Sequence, residues 1–355
     1  MLIGEGLQLC GHLYRYKKQY KMEELMKAVI VLNDVLTVQN IEKPTQAEPG
    51  HLIVKMNSSA INSGDKFFLK YPTPPGMVKS LYDVKGVSGA GEVLQIGEGV
   101  SEEFLGKNVA FYRQLKYSES VVGGWSEYSH VHYLDCVILP ESVDPEEYSG
   151  TIVNAITPYG FLKQIIDEGH KGIISTAGNS ATGIALLAFC VTYDFPLISI
   201  VRTEDGRKEL EALGAKNIVV QSDPDFDIQL SYIAQSLNAT AIFDGVGGSI
   251  LNRILTLIPW GSVIYTYGYI GDTVPFAFHT STLSVKNITI KPFSNLKTPT
   301  VQDAGKLAQA LREIGNLIHM PHFKTKIGKK FRLEEINDAV AYNGGNGKKA
   351  VLYHG

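Results

Sequence analysis

The stretch that most restricts what this chain can fold into is Gly172–Lys208, GIISTAGNSATGIALLAFCVTYDFPLISIVRTEDGRK. An apolar run ending at Ser175 reads as a buried strand, and the small residues from Thr176 to Gly183 let the backbone turn tightly into an apolar helix over Ile184 to Thr192. The helix N-terminus would present unpaired N–H groups and positive dipole above that turn, which is half of a dinucleotide site. A second strand, Leu197 to Arg202, ends where the adenosine ribose of such a ligand would lie. An acid there would bind a free 2′-hydroxyl; Arg202, with Lys208 after it, suggests a 2′-phosphate and NADPH instead. G-x-G-x-x-G is not present, because only Gly178 and Gly183 remain, so an ordinary strand-to-helix turn of an α/β domain is the alternative reading of this segment taken alone.

The surrounding pattern extends the argument. From Thr151, helix candidates (Asn154 to Glu168, Ile184 to Thr192, Arg207 to Leu213, Asp227 to Leu237, Ser249 to Leu257) alternate with strands (Ile173 to Ser175, Leu197 to Val201, Asn217 to Val220, Ala241 to Phe243, Val263 to Tyr267). Such alternation implies a parallel sheet with right-handed crossovers, whose strand ends share one crevice. Before it, Lys27 to Leu139 shows short alternating strands (Ala28 to Leu32, Leu52 to Ile61, Asn108 to Tyr112), with glycine turns at Gly86–Gly91 and Gly97–Gly99 on either side of a strand Glu92 to Ile96. After a helix over Gln302 to Leu317, the chain returns to strand, helix, strand (Lys324 to Phe331, Leu333 to Ala341, Lys349 to Tyr353). That last piece carries too little apolar surface to stand alone and is expected to pack back on the first domain.

At 355 residues the chain exceeds the size of one core, so two domains are expected. A net charge of −3 with 19% charged residues gives no field for nucleic acid. The longest apolar run, Ile184 to Val201, is broken by Asp194 and Pro196, which argues against a membrane span. Cys10, Cys136 and Cys190 lie far apart without ligand spacing, so neither a disulfide framework nor a structural zinc is indicated and a reducing compartment fits. The first 25 residues look appended: as a disordered or surface-packed extension they leave the protein cytoplasmic, and as a targeting segment they would make it mitochondrial.

Taken together, GVSGAGEVLQIGEG from Gly86, Gly123-Gly124-Trp125-Ser126-Glu127-Tyr128, Asn154-Ala155-Ile156-Thr157-Pro158-Tyr159, Asn179-Ser180, Gly214-Ala215, Asp244–Gly248 and Gly347-Lys348-Lys349-Ala350-Val351 occur in an order that resembles the medium-chain dehydrogenase/reductase superfamily. Within it the chain is most similar to the zinc-free branch of NADPH-dependent quinone and 2-enoyl thioester reductases. The resemblance implies an α/β protein: a GroES-like β-rich catalytic domain formed by residues 26–150 and 319–355, and a Rossmann-type doubly wound parallel sheet over 151–318. It also implies a homodimer. Val87, Ser88, Asn62 and Ser63 stand where zinc-dependent members carry His, Glu and Cys, so no metal is expected.

Without metal, the expected chemistry is hydride transfer to a small electrophilic acceptor, a quinone or an activated C=C or carbonyl, with hydrogen-bond donors aimed at the acceptor oxygen. The resemblance points to Tyr71, after Asn62-Ser63-Gly64-Asp65, as the donor, with Asn62 second and Tyr82 and Tyr112 behind them. For the cofactor it implies Asn179, Ser180, Ala181 and Thr182 at the diphosphate, Arg202 and Lys208 at the 2′-phosphate, and Thr157, Val246, Gly268, Tyr269 and Lys348 along the rest. A mitochondrial-type enoyl thioester reductase and a non-catalytic NADPH-binding protein are the alternatives. His130 and His132 read as a solvated strand edge, and His319 and His322 as a polar loop.

Overall fold

The structure is a computed structural model that describes residues 24–71, 77–345 and 347–354. The expected extension therefore lies outside the described residues up to position 23.

Two sheets carry the fold. In chain order the β-rich part has strands β1 (Leu25–Leu32), β2 (Val35–Glu42), β3 (His51–Ala60), β4 (Ser88–Ile96), β5 (Asn108–Tyr112), β6 (Tyr128–His132) and β7 (Cys136–Ile138), with a short helix α1 (Ser63–Phe68) after β3. β1 and β2 form a hairpin closed by Asn33 and Asp34, whose φ of 50° and 61° are the left-handed values a two-residue turn needs and that Asn and Asp tolerate. The middle of the chain alternates α2 (Thr151–Asp167), β8 (Ile173–Ser175), α3 (Ala181–Thr192), β9 (Leu197–Val201), α4 (Glu204–Ala212), β10 (Asn217–Val220), α5 (Phe226–Ser236), β11 (Ala241–Asp244), α6 (Gly248–Ile254), β12 (Val263–Thr266), α7 (Thr280–Lys286) and β13 (Thr289–Pro292). Then come α8 (Pro299–Gln302), α9 (Ala304–Leu317), β14 (Ile327–Phe331), α10 (Ile336–Ala341) and β15 (Lys349–Tyr353).

Strands β8 to β13 make one all-parallel sheet in the order β10-β9-β8-β11-β12-β13. The order reverses between β8 and β11, and that switch point opens the ligand crevice of such a sheet. Helix α3 is buried on every side from Gly183 to Cys190, which explains why its sequence has no polar face. A core on one side of the sheet continues through α2 and α9 into β4, β5 and the strands around them, so the two sheets share apolar packing.

The C-terminal strand β15 pairs antiparallel with β3 and parallel with β14, joining the far end of the chain to the β-rich sheet as its apolar deficit required. One expectation fails here. Gly86–Gly91 is not a turn: only Gly86 has positive φ, 87°, and Gly89 and Gly91 lie inside β4. A Cβ on Gly91 would meet the Lys55 carbonyl of β3, so glycine there permits close strand approach at a register shift rather than a bend. The expected helix from Gln302 is also divided, because Asp303 leaves helical geometry to cap α9 through the Lys306 N–H at 2.8 Å.

Two histidine readings are corrected as well. His130 is buried, between the Ser120 carbonyl at 2.6 Å and the Glu48 N–H at 3.2 Å, and its ring stacks on His51 at 4.7 Å, because β6 pairs with β3 rather than lying at a wet edge. His322 is buried too; its Nε2 lies 2.9 Å from the Leu213 carbonyl at the end of α4, tying the chain after α9 to the parallel sheet.

Candidate functional site

The candidate site has two ends, and the turn before α3, expected at a diphosphate, is the first. Ser180 caps α3, three residues earlier than the apolar pattern suggested, its Oγ accepting the Gly183 N–H at 3.0 Å. Thr182 turns its hydroxyl to Asn154 Oδ1 on α2 at 3.3 Å. Neither side chain covers the helix end, and the N–H groups of Ala181 and Thr182 have no acceptor among the described residues. Gly183 is required by packing: a Cβ there would sit 2.5 Å from the Gly178 carbonyl oxygen and 2.8 Å from its carbon. Gly178 in turn approaches β9 so closely that a Cβ would lie 2.9 Å from Ser199 Cβ.

The neighbouring strand ends close around this turn. Buried Asp244, at the end of β11, accepts Thr176 Oγ1 at 2.6 Å and the Val246 and Gly247 N–H groups at 3.2 and 3.1 Å, fixing the loop that carries Val246. Tyr267 stacks on Phe243 at 3.9 Å. Gly268 lies against Gly245, where a Cβ would come within 2.8 Å of its carbonyl oxygen. From the opposite side, Lys326 Nζ donates to the Asn179 carbonyl at 3.1 Å and pairs with Glu209 of α4. The Gly347 loop reaches the same place: a Cβ on Gly347 would be 3.9 Å from Ala181 N.

Not every expected cofactor residue is drawn in. Arg202 and Lys208 are exposed past β9, with no ion-pair or hydrogen-bond partner among the described residues. Arg207, by contrast, is engaged with Glu204 at 3.1 Å. Thr157 uses its hydroxyl on the Val153 carbonyl of its own helix at 2.9 Å. Lys348 is exposed beside Gly347.

The second end is a buried polar cluster at the start of α1. Asn62 caps that helix, and its Nδ2 donates to Asp65 Oδ2 at 3.0 Å and to Ser88 Oγ at 2.9 Å. Asp65 also accepts the Asn62 N–H at 2.8 Å and the Val87 N–H at 3.1 Å. Burial raises the Asp65 carboxyl above its ordinary range, opposed by these N–H donors and by Arg113. Arg113 is itself buried, with Nε on the Gly86 carbonyl at 2.8 Å and one guanidinium nitrogen on the Val78 carbonyl at 3.0 Å. Lys349, the first residue of β15, places Nζ on Asn62 Oδ1. Burial lowers this lysine to about 8, with Asp65 pulling the other way.

Tyr71 is 55% exposed. Its ring stacks on Phe67 of α1 at 4.5 Å, and Phe67 in turn meets Tyr269 at 4.6 Å. The structure thus brings Tyr71 and Tyr269 to one aromatic cluster around Phe67. Tyr112 is buried and Tyr82 points to Glu42 at 3.4 Å. The sequence reading passed over Lys349, Asp65 and Lys326; a lysine opening the otherwise apolar strand Ala350-Val351-Leu352 was the available signal. Among the described residues no three His, Cys, Asp or Glu side chains stand together as metal ligands.

These features define a two-lobed protein with a dinucleotide-type parallel sheet facing a β-rich lobe across a crevice. No family model matches the chain. The human synaptic vesicle membrane protein VAT-1 homolog is 25% identical over 63% of the chain, and the chain spans only 55% of that relative's length. A solved structure assigned as an NADPH:quinone reductase from Mesorhizobium loti superposes with a TM-score of 0.72 at 22% identity, covering 94% of this chain and all of that one (100%). The Etr1p complex with NADP and crotonyl-CoA gives 0.73 at 20% identity, covering 93% and 100%. Other relatives include quinone oxidoreductases, a mitochondrial enoyl-[acyl-carrier-protein] reductase and a zinc-type alcohol dehydrogenase-like protein, and the superpositions show that the chain shares the fold of the solved quinone and enoyl thioester reductases.

Proposed function

We propose that the protein is an NADPH-dependent oxidoreductase that reduces a quinone or an activated C=C or carbonyl acceptor without a metal. The observation that carries this reading is the α3 N-terminus: two N–H groups, on Ala181 and Thr182, without acceptors among the described residues, with the Gly347 loop beside them. Anions bind such helix ends because the amides and the dipole act together. Arg202 just past β9 and Lys208 on α4, exposed and without side-chain partners among the described residues, suit a 2′-phosphate, and a guanidinium grips it with a fork that an ammonium lacks. The residues present therefore fit NADPH, which when bound supplies the hydride.

The chain's own residues then divide the work. Asn179, Ser180, Ala181 and Thr182 hold the diphosphate, and Val246, Gly268 and Lys348 line its approach, with Thr157 on α2 behind them. Tyr269, with Phe67 and Tyr71, offers flat faces to a conjugated acceptor at the mouth. Tyr71 directs a hydrogen bond toward the acceptor oxygen as charge develops there, and Asn62, whose amide is held by Asp65 and Ser88, serves catalysis through that network. Residues 26–150 and 319–355 form the catalytic lobe and 151–318 the NADPH lobe, with residues 1–25 an extension; the protein works as a homodimer in the cytoplasm. Among the described residues no helix is long and apolar enough to cross a membrane.

Purified protein mixed with NADPH and a panel of quinones, enones and enoyl thioesters tests this by the loss of reduced-cofactor absorbance. Turnover with NADPH and one of these acceptors is expected. Cofactor binding without turnover on any acceptor would leave a binding protein built on a reductase fold.

A further inference from the structure

Lys349 is an unusual residue for its place. Its side chain is half-buried, and drawing an ammonium out of water without a charged partner is costly. Among the described residues Lys349 has no carboxylate within ion-pair distance, and its Nζ has a single hydrogen-bond acceptor, Asn62 Oδ1. Two of its three N–H bonds thus have no protein acceptor.

Position makes that geometry functional. Two residues before it, Gly347 lies against Ala181 and Asn179 of the diphosphate turn. One residue after it, the Ala350 carbonyl accepts the Ile61 N–H at 3.0 Å, which sets β15 beside the segment leading to Asn62. Beyond Asn62, Ser63 and Gly64 are exposed, and Phe67 of the same short helix touches Tyr269 from the nucleotide lobe. Lys349 therefore lies between the cofactor turn and the acceptor end, on the chain that links them.

Resting on the reductase reading above, we propose that Lys349 is the proton donor of the reaction. Hydride adds to the acceptor, the displaced electron pair moves onto its oxygen, and an Nζ–H proton follows to that oxygen. This leaves a neutral amine, which water reprotonates before the next turnover. Overall one hydride and one proton reach the acceptor, and the cofactor alone is oxidised. Asn62 is a positioning residue in this scheme: its oxygen holds Nζ while its amide is fixed by Asp65 and Ser88. The charged group facing Lys349 is Asp65 on α1, which raises its pKa, whereas Arg113, Asp135 and Tyr112 act on one another and on Asp65. Burial dominates and brings Lys349 to about 8, where it can give up a proton near neutral pH.

The test compares wild type with Lys349→Met and Lys349→Arg. Both variants are expected to lose about 100-fold or more in kcat, with NADPH affinity by fluorescence unchanged, because arginine keeps charge but does not release a proton. The kcat of wild type should fall on a basic limb near pH 8 that Lys349→Met lacks, and the Nζ of 15N-lysine in the cofactor-free wild type should titrate there by NMR. Full rescue by arginine, or an Nζ that titrates at the ordinary lysine value of 10.5, overturns the proposal. An active wild type whose Lys349→Met variant keeps its rate and limb overturns this inference alone; a wild type inert toward every acceptor overturns the reductase reading and this inference with it.

Discussion

The two ends of the crevice are made in opposite ways. At the diphosphate turn the backbone does the work: side chains are small or turned aside, glycines let α3, β9 and the turn approach one another, and two amides are left over. At the Asn62 end the polar groups are side chains, Asn62, Asp65, Ser88 and Arg113 buried and Lys349 half-buried. A backbone site tolerates changes that leave its shape alone and fails when a Cβ is added. A side-chain site is the reverse, since its groups sit at a cost in desolvation that their removal relieves.

The sharpest break of this comparison is Gly183→Val. Its Cβ would collide with the Ala177 and Gly178 carbonyls, so α3 must shift off the turn. Overpacking of this kind costs about 3 kcal/mol, read as a lower denaturant midpoint, and NADPH binding should be lost at the same time.

Lys349→Met should move stability the other way. The folded-state pKa of Lys349, about 8, lies below the ordinary 10.5, so burial penalises the charged form. That penalty is fully present below pH 8 and fades as pH rises from 8 toward 10.5. Methionine removes it but leaves Asn62 Oδ1 without its donor, and the net gain at neutral pH is about 2 kcal/mol. Urea unfolding at several pH values checks this: the variant's advantage should shrink as pH rises, whereas an advantage independent of pH would mean that Lys349 titrates alike in the folded and unfolded protein.

How much of this was legible beforehand follows the same division. Strands β8 to β12 and the helices between them were readable because a parallel sheet buried on both faces needs apolar runs, and such runs stand out around Ile173, Leu197 and Ile242. The turn was readable for a related reason: Gly178 and Gly183 are needed where they stand. Periodicity misplaced the start of α3, since Ala181, Thr182 and Gly183 carry no apolar signal, and capping by Ser180 decides it. It also took Gly89 and Gly91 for a turn, because glycine marks close approach as well as bending, and only the partner strand distinguishes the two. Lys349, Asp65 and Lys326 were hidden for a deeper reason. A charged residue in sequence reads as solvent-facing until β15 is known to pair with β3, a contact between opposite ends of the chain.

Arg202→Ala sharpens the comparison at the exposed edge of the turn. Losing one charged hydrogen bond to the 2′-phosphate should weaken NADPH by about 1.5 kcal/mol, roughly tenfold, and leave NADH unaffected. Titration of cofactor fluorescence with each dinucleotide measures it. Equal losses for both would remove the reason to assign the 2′-phosphate to this arginine.

The smallest effect expected is that of Ser180→Ala, and it isolates what the turn's side chain contributes. The hydroxyl satisfies the Gly183 N–H, so its loss removes a helix cap worth about 1 kcal/mol of stability. The amides of Ala181 and Thr182 are untouched, because neither depends on that hydroxyl. NADPH affinity should therefore change less than in Arg202→Ala, by under about tenfold, while the melting temperature falls. If instead affinity collapses with little change in stability, the serine oxygen and not the helix N-terminus would be the group that grips the diphosphate, and the contrast between a backbone end and a side-chain end of the crevice would no longer hold.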